Sequence, residues 1–236
     1  MDFHGQCLLD YLKGEKEAFY LLHMDDGFVA PPMYAKQFFY ENDEFPGIDK
    51  VALDNCYGRV LDIGAGAGSH SLFLKKKGLE VLPIDNSPKA VEVMRKRGLK
   101  NARLGGLFEE YEKPFDTVLV LSGIGIVENL KGLENFLNYL PSILTENGQL
   151  ITDSFDIRNP VDEKLREYQK KMIAAGRYLG ERTLRFEYKG EMSDWFEWMH
   201  IDPVTLKNHV NKSGFSFDLI TTDDKGRYLS IIRRNR

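Results

Sequence analysis

The stretch that decides the fold of this chain is residues 60–68, which read VLDIGAGAG. An apolar run with one acid in it leads directly into three glycines at alternate positions, and a helical pattern follows from Ser69. Glycine lets the backbone turn tightly and bring main-chain N–H groups against a ligand that a Cβ atom would keep away. The stretch predicts a strand, a ligand-binding loop and a helix; the alternative is a tight turn that binds nothing.

An acidic residue, Asp85, follows the next predicted strand, about twenty residues beyond the glycine loop. A carboxylate in this place can accept hydrogen bonds from ribose hydroxyls, so loop and acid together indicate a nucleoside-containing cofactor. The glycine spacing differs from the G-x-G-x-x-G of dinucleotide-binding proteins. Asp62 would also repel a pyrophosphate and suit the ammonium of a methionine moiety. A nicotinamide-dependent dehydrogenase is therefore disfavoured.

Strands and helices alternate outward from this loop. The expected strands are 59–63, 79–84, 101–104, 115–121 and 148–152, the expected helices are 69–77, 87–98 and 133–144, and a hairpin joins 215–220 to 228–232. Such alternation predicts a parallel sheet with right-handed crossovers. The expected fold is a doubly wound α/β domain with a mostly parallel seven-stranded sheet, a C-terminal antiparallel hairpin and an inserted aromatic β pair.

One domain with four parts is expected. Residues 1–57 form an N-terminal appendage, with a helix near 6–13, a hairpin joining 19–24 to 28–30, and an end to regular structure at Pro31-Pro32. Residues 58–155 form the cofactor-binding core, 156–202 an insertion or lid, and 203–236 a closing helix and hairpin. The insertion combines a charged helix with the β pair, whose apolar side chains include Phe186, Tyr188, Trp195, Phe196, Trp198 and Met199.

Composition excludes several classes of protein. The 236 residues are 42% hydrophobic, enough for one buried core, and no apolar run approaches the roughly 18 residues of a membrane span. The first residues lack a secretory signal, so a cytoplasmic protein is expected. Two distant cysteines and no Cys/His cluster predict no metal site. A net charge of −4 disfavours nucleic acid as a partner. Oligomeric state is not predicted.

Residues 60–97 resemble motifs I and II of the class I S-adenosylmethionine-dependent methyltransferases, which have a Rossmann-like fold. The similarity in pattern covers about residues 55–155 and 203–234, including a fourth strand at 115–118 and the start of a fifth at 144–150. The resemblance implies S-adenosylmethionine as cofactor, with its methionine part near Asp62 and the glycine loop, its ribose at Asp85 and its adenine beside Asn86. The expected cofactor-binding residues are Asp62, Gly64, Ala65, Gly66, Gly68, Asp85, Asn86, Leu107, Phe108 and Ser122.

The sequence departs from this family after the third strand. Family members often supply an acid to the adenine amino group there, but residues 105–108 read GGLF. Adenine recognition then falls to backbone groups, to Phe108 or to Glu109. Phe108 is equally well explained as a core residue.

The methyl acceptor is expected at the carboxyl ends of the strands, among the loops 64–68, 122–128 and 153–156. The fourth-strand loop lacks the Asn/Asp-Pro-Pro-Tyr/Phe of amino methyltransferases that act on adenine or glutamine, so those acceptors are disfavoured. His70, Asp153 and His200 are candidate bases, although a structural role explains each histidine as well, and no catalytic residue is assigned.

These observations favour a methyltransferase with a small-molecule acceptor, which the aromatic insertion would help to enclose. Simple packing of the insertion is the alternative. Methylation of a protein or RNA group, and a non-catalytic cofactor-binding module, remain open as functions.

Overall fold

The computed structural model describes residues 2–41, 44–121, 123–158 and 163–235. Its helices are α1 (Phe3–Leu12), α2 (Gly47–Asp54), α3 (Ser69–Lys76), α4 (Pro88–Lys96), α5 (Leu130–Ile143), α6 (Glu163–Ala174) and α7 (Pro203–Lys212). Its strands are β1 (Phe19–Met24), β2 (Met33–Tyr34), β3 (Arg59–Ile63), β4 (Glu80–Asp85), β5 (Arg103–Leu104), β6 (Phe115–Val120), β7 (Leu144–Phe155), β8 (Glu181–Tyr188), β9 (Glu191–Met192), β10 (Phe196–Met199), β11 (Phe215–Thr222) and β12 (Arg227–Arg234).

A seven-stranded sheet in the order β11-β12-β7-β6-β3-β4-β5 forms the main body of the chain. The five strands from β7 to β5 run parallel, whereas β12 is antiparallel to β7 and β11 is antiparallel to β12. The predicted mostly parallel sheet with its C-terminal hairpin is confirmed. The fifth strand, β7, extends beyond the expected 148–152 at both ends, because Leu144 already pairs with Phe115 of β6 and the pairing with β12 runs on to Phe155.

Helices cover both faces of this sheet, as the doubly wound prediction requires. Successive residues of a strand point to opposite faces, so Val60 packs in a cluster with α2 and α3 while Leu61 packs in a cluster with α5 and α7. Both side chains are fully buried, and burial of such a side chain contributes about 1.5–3 kcal/mol. The carboxyl ends of the parallel strands therefore meet at one edge between two layers of helices.

A second sheet has the order β10-β8-β1-β2, with β9 paired to β8. The expected aromatic β pair is present as β8 and β10, and β1 from the N-terminal segment extends it. The hairpin predicted for 28–30 is reduced to one bridge between His23 and Val29, and β2 follows Pro31-Pro32 to pair with β1. Proline has no N–H for a strand ladder, so pairing lapses at the two prolines and resumes after them.

The two faces of the second sheet differ in chemistry. Residues directly opposite each other on paired strands share a face, so the pairs Leu22–Phe186, Leu184–Phe196 and Arg182–Trp198 lie on one side. The opposite side carries His23 hydrogen-bonded to Glu187. The first side, called the inner face below, is mainly apolar and aromatic.

In the described part of the chain, no helix has the length and apolar character that a membrane crossing requires.

Candidate functional site

The glycine loop between β3 and α3 has the backbone form that its sequence predicts. Gly64, Gly66 and Gly68 have φ angles of 71°, 55° and 79°, a region that side chains disfavour. The backbone N–H groups of Gly64 and Ala65 both donate to the carbonyl of Ile84, each at 3.0 Å. These bonds tie the start of the loop to the end of β4.

The three glycines serve different purposes. A Cβ at Gly68 would lie 2.5 Å from Leu99 and 2.9 Å from Met94, so the missing side chain lets α3 pack on α4. Among the described residues beyond its chain neighbours, a Cβ at Gly64 would have no neighbour within 4 Å, and one at Gly66 would have His4 Nε2 alone, at 3.7 Å. Only Gly64 and Gly66 therefore leave open space for a ligand to approach the backbone.

Asp85 links the glycine loop to the start of α4. Its carboxylate accepts one hydrogen bond from Gly66 N and one from Ser87 N, both at 2.8 Å, and the residue is buried. A carboxylate offers about four acceptor positions, so it can hold the loop and still accept from a ligand hydroxyl.

Asp62 lies beneath the loop and points toward α3. Its carboxylate accepts a hydrogen bond of 2.6 Å from Ser71 Oγ, and the side chain is buried. Burial raises the pKa of the Asp62 carboxyl, against the opposing charge of His70 and the bond from Ser71. Contact between Asp62 and a cofactor ammonium stays a prediction.

The residues expected near adenine lie at the ends of β4 and β5. Asn86 is exposed, Leu107 is half-buried against the main core, and Phe108 is 56% exposed, with its ring edge-on to Tyr139. Phe108 is therefore not a core residue. The Glu109 carboxylate accepts from Gly106 N at 3.0 Å and closes the turn. Ser122 lies outside the described residues.

A network of charged groups joins β7, β12, α2 and α3 at the same edge. Arg227 Nε lies 2.6 Å from Asp153 Oδ2, and its terminal nitrogen lies 2.7 Å from Asp49 Oδ1. Asp49 also bonds His70 Nε2 at 3.0 Å, and Asp153 accepts from Gly123 N at 2.9 Å. Asp153 thus holds the start of the loop after β6, and His70 is engaged by a carboxylate.

Burial and neighbouring charges shift the pKa values of the two acids in this network in opposite directions. Burial raises the pKa of Asp153 despite the charge of Arg227. Burial also acts to raise the pKa of Asp49, but His70 and Arg227 outweigh it and hold that pKa below its ordinary value. Arg227 and Asp49 were not among the predicted site residues, because no local pattern relates α2 to a hairpin strand far along the chain.

His200, the third candidate base, lies beside the end of β7. Its ring is edge-on to Phe155, with centroids 5.5 Å apart, and its Nδ1 is buried with no hydrogen-bond partner among the described residues. Burial, aided by the positive charge of Arg182, lowers the pKa of His200 to about 4. The imidazole is therefore neutral near pH 7. Unlike His70 and Asp153, which are held by charged neighbours, His200 has a ring nitrogen with no hydrogen-bond partner among the described residues.

The low pKa of His200 makes stability depend on pH. In the unfolded chain His200 is protonated below its ordinary pKa of 6.5, whereas in the folded protein it is protonated only below about pH 4. The free energy of unfolding is therefore highest above pH 6.5 and decreases as the pH falls from 6.5 to about 4. Between about pH 7.5 and about pH 5 this loss should be about 2 kcal/mol.

Urea unfolding at both pH values checks this prediction, with His200→Phe as the comparison. The variant should lack the histidine contribution, so its unfolding free energy should fall less than that of the wild type. An equal fall in both proteins would show that His200 is not held neutral in the folded state.

The inner face of the second sheet lies over the loop after β6. The Trp198 indole packs directly against Gly125, and a Cβ at Gly123 would lie 3.4 Å from the same ring. Gly125 is thus explained by the close approach of Trp198 and the Met199 carbonyl, whereas Gly123 is explained by its φ of 110°, which side chains disfavour. Trp195 is 45% exposed and carries Arg185 over its ring at 4.4 Å. Phe196 stacks on Phe186 with ring centroids 4.9 Å apart and is half-buried.

No group of three or more potential metal-ligating side chains occurs in the ranges that the structure describes.

Comparison with known proteins gives consistent results. The family model described as a methyltransferase domain matches residues 56–208. A solved SAM-dependent methyltransferase from Bacteroides fragilis, crystallised with S-adenosyl-L-homocysteine, is 31% identical, with a TM-score of 0.87 over 100% of this chain and 95% of that chain.

Two curated proteins are more distant. An uncharacterised methyltransferase of Staphylococcus carnosus is 26% identical over 165 residues, which cover 69% of this chain and 72% of that protein. The mitochondrial ubiquinone biosynthesis O-methyltransferase of Schizosaccharomyces pombe is 25% identical over 145 residues, 56% of this chain and 52% of that protein. The chain thus spans about half the length of the second relative.

Proposed function

This chain belongs to the family of S-adenosylmethionine-dependent methyltransferases, and from that membership we propose that it methylates a small molecule in the cleft between the glycine loop and the second sheet. S-adenosylmethionine is the cofactor. The observation that carries the proposal is the open approach to Gly64 and Gly66, whose loop is fastened to a buried carboxylate at Asp85.

We assign the parts of the cofactor to the residues around this loop. The methionine part lies along Gly64, Ala65 and Gly66. The ribose hydroxyls donate to Asp85, which keeps acceptor positions after bonding two backbone N–H groups. The adenine lies between Asn86 and Leu107, and backbone groups recognise its edge because Glu109 is engaged in its own turn.

The cofactor would supply a methyl group on a sulfonium sulfur, and this sulfur is a good leaving group because it departs as a neutral thioether. The protein has to align the acceptor with it, exclude water and receive a proton where the acceptor carries one. Asp153 is paired with Arg227 and holds the loop after β6 through Gly123 N, and His70 is engaged with Asp49, so both side chains serve structural contacts. His200 is a neutral imidazole near this edge, but its pKa of about 4 makes it a weak base near pH 7, so no residue is assigned as proton acceptor.

Three features support a small acceptor. The inner face of the second sheet brings the Trp198 ring against Gly125 in the loop after β6, so apolar surface suited to a small molecule lies beside the carboxyl ends of the strands. The net charge of −4 provides no general attraction for RNA. The name of the fission yeast relative refers to ubiquinone biosynthesis, which involves small molecules.

Transfer of a labelled methyl group from the cofactor to a fractionated cell extract tests this proposal. Label should enter material that passes a filter of about 1 kDa, and it should not enter the retained protein and RNA. Phe196→Ala should lower transfer about tenfold or more, because it removes a stacked ring from the inner face. Trp195→Ala is the matched control and should transfer normally, since this ring is exposed on the other side. Label in the retained fraction alone would contradict the proposal.

A further inference from the structure

Helix α1 lies over the glycine loop although it precedes the segment that the family model matches. It packs along α4, with Phe3, Cys7, Leu8 and Leu9 buried. Position 66 is open except on the side of this helix: among the described residues other than its chain neighbours, His4 Nε2 alone lies within 4 Å of a Cβ placed there.

The ring of His4 is held by aromatic neighbours rather than by polar ones. It meets Phe38 and Tyr20 edge-on, with centroids 5.0 Å and 5.5 Å apart, and lies parallel to Phe186 at 6.3 Å. Neither ring nitrogen of His4 has a hydrogen-bond partner in the ranges that the structure describes. Packing fixes the ring, while the nitrogen that faces Gly66 is left without a protein partner.

A second set of contacts fastens α1 beside the ribose position. Asp2 Oδ2 accepts from Ser87 Oγ at 2.6 Å and from Lys89 N at 3.0 Å, while Asp2 Oδ1 caps α1 through Gly5 N at 3.0 Å. Gly5 has no room for a side chain because the Ser87 hydroxyl occupies that place. This set of contacts is called the Asp2 clasp below. It joins the start of α1 to the residue that follows Asp85 and Asn86.

We propose that His4 is a residue of the cofactor site, which the Asp2 clasp holds over Gly66. Because Gly66 N bonds Asp85, this place lies where the methionine part joins the ribose, and the free nitrogen of His4 hydrogen-bonds a ribose hydroxyl of bound cofactor. This assignment rests on the proposed position of the ribose at Asp85. Burial lowers the pKa of His4 against the opposing charges of Asp85 and Asp2, so the ring is neutral and can accept a bond from a hydroxyl. Ribose hydroxyls would then be shared between Asp85 and His4.

The clasp has a consequence for cofactor exchange. Because α1 closes the glycine loop on one side, a cofactor held by His4 leaves more slowly while the clasp is intact. Loosening the clasp should therefore change the rate of dissociation as well as the affinity.

Calorimetry with S-adenosylhomocysteine, which needs no acceptor, tests the assignment. His4→Phe keeps the ring contacts with Tyr20 and Phe38 but removes both nitrogens, and it should weaken binding about fivefold to tenfold at an unchanged melting temperature. Asp2→Ala should speed dissociation in stopped-flow measurements about tenfold. His23→Phe, on the outer side of the second sheet, is the matched control and should bind within about twofold of the wild type.

The outcomes separate this inference from the proposed function. If the wild type does not bind S-adenosylhomocysteine, the proposed function fails. If the wild type binds and His4→Phe binds equally well, His4 serves packing only and the assignment is overturned. A shift of the His4 imidazole resonance on addition of S-adenosylhomocysteine supports it, and an unmoved resonance contradicts it.

Discussion

Gly66→Val is expected to abolish binding of S-adenosylhomocysteine, with an affinity loss of about a hundredfold or more. Gly66 has a φ of 55°, where a β-branched residue is strained, and its missing side chain leaves open space toward the cleft. A valine would put branched carbon where the ligand has to approach, and it would disturb the bond from Gly66 N to Asp85. Calorimetric titration of the folded variant measures the effect.

A second glycine substitution separates ligand exclusion from backbone strain. Gly78 also has a positive φ, 88°, and a Cβ there would meet nothing within 4 Å, but it lies at the far end of α3. Gly78→Val should lose stability through strain while binding S-adenosylhomocysteine normally. Normal binding by folded Gly66→Val would show that the loop does not touch the cofactor.

Arg227→Met is expected to lower the free energy of unfolding by about 3–5 kcal/mol. The guanidinium lies between Asp49 and Asp153, so its removal leaves two buried carboxylates without their cation. Without Arg227 only the hydrogen bond from Gly123 N still opposes the effect of burial on the pKa of Asp153, so this carboxyl should be protonated more readily in the folded state. The loss should therefore shrink as the pH falls, because the folded variant then binds the additional proton.

Arg233→Met in the same strand is the control for this prediction. Arg233 pairs with Asp218 in a largely exposed ion pair, so its loss should cost less than about 1 kcal/mol. Urea unfolding of both variants gives the comparison. Equal effects would mean that the Arg227 network does not bear on stability.

The parts of the fold and site that depend on local sequence could be predicted. A glycine loop after a buried strand, followed by Asp85, is contained within a single β-α-β unit. Within such a unit the turn residues and the spacing of the apolar residues indicate the same structure. The parallel direction of the five strands from β3 to β7 follows from such units and their right-handed crossovers. For the same reason, the ends of the predicted strands lie within a few residues of those observed.

The parts of the fold and site that could not be predicted arise from contacts between segments that are distant in the sequence. β1 pairs with β8 across more than half of the chain, so neither strand alone indicates its partner. His4 reaches Gly66, and Arg227 reaches Asp49, only after the N-terminal segment and the last hairpin have docked on the sheet. Side-chain alternation within each strand carries no information about such partners.

The three loop glycines show a further limit of prediction from sequence. In sequence the three loop glycines are equivalent, and all three were expected at the cofactor. The structure separates them, because Leu99 and Met94 fill the space beside Gly68 while Gly64 and Gly66 face open space. That distinction comes from the packing of α3 on α4, which the sequence of the loop does not reveal.

The open space above Gly66 and Asp85 is proposed to receive an adenosyl cofactor with a methionine tail. Calorimetric titration of the wild-type protein with S-adenosylhomocysteine, run beside a titration with NAD, is the decisive experiment. We predict saturable binding of S-adenosylhomocysteine at one site per chain and no heat of binding for NAD. Binding of NAD without binding of S-adenosylhomocysteine would show that the site is built for a dinucleotide instead.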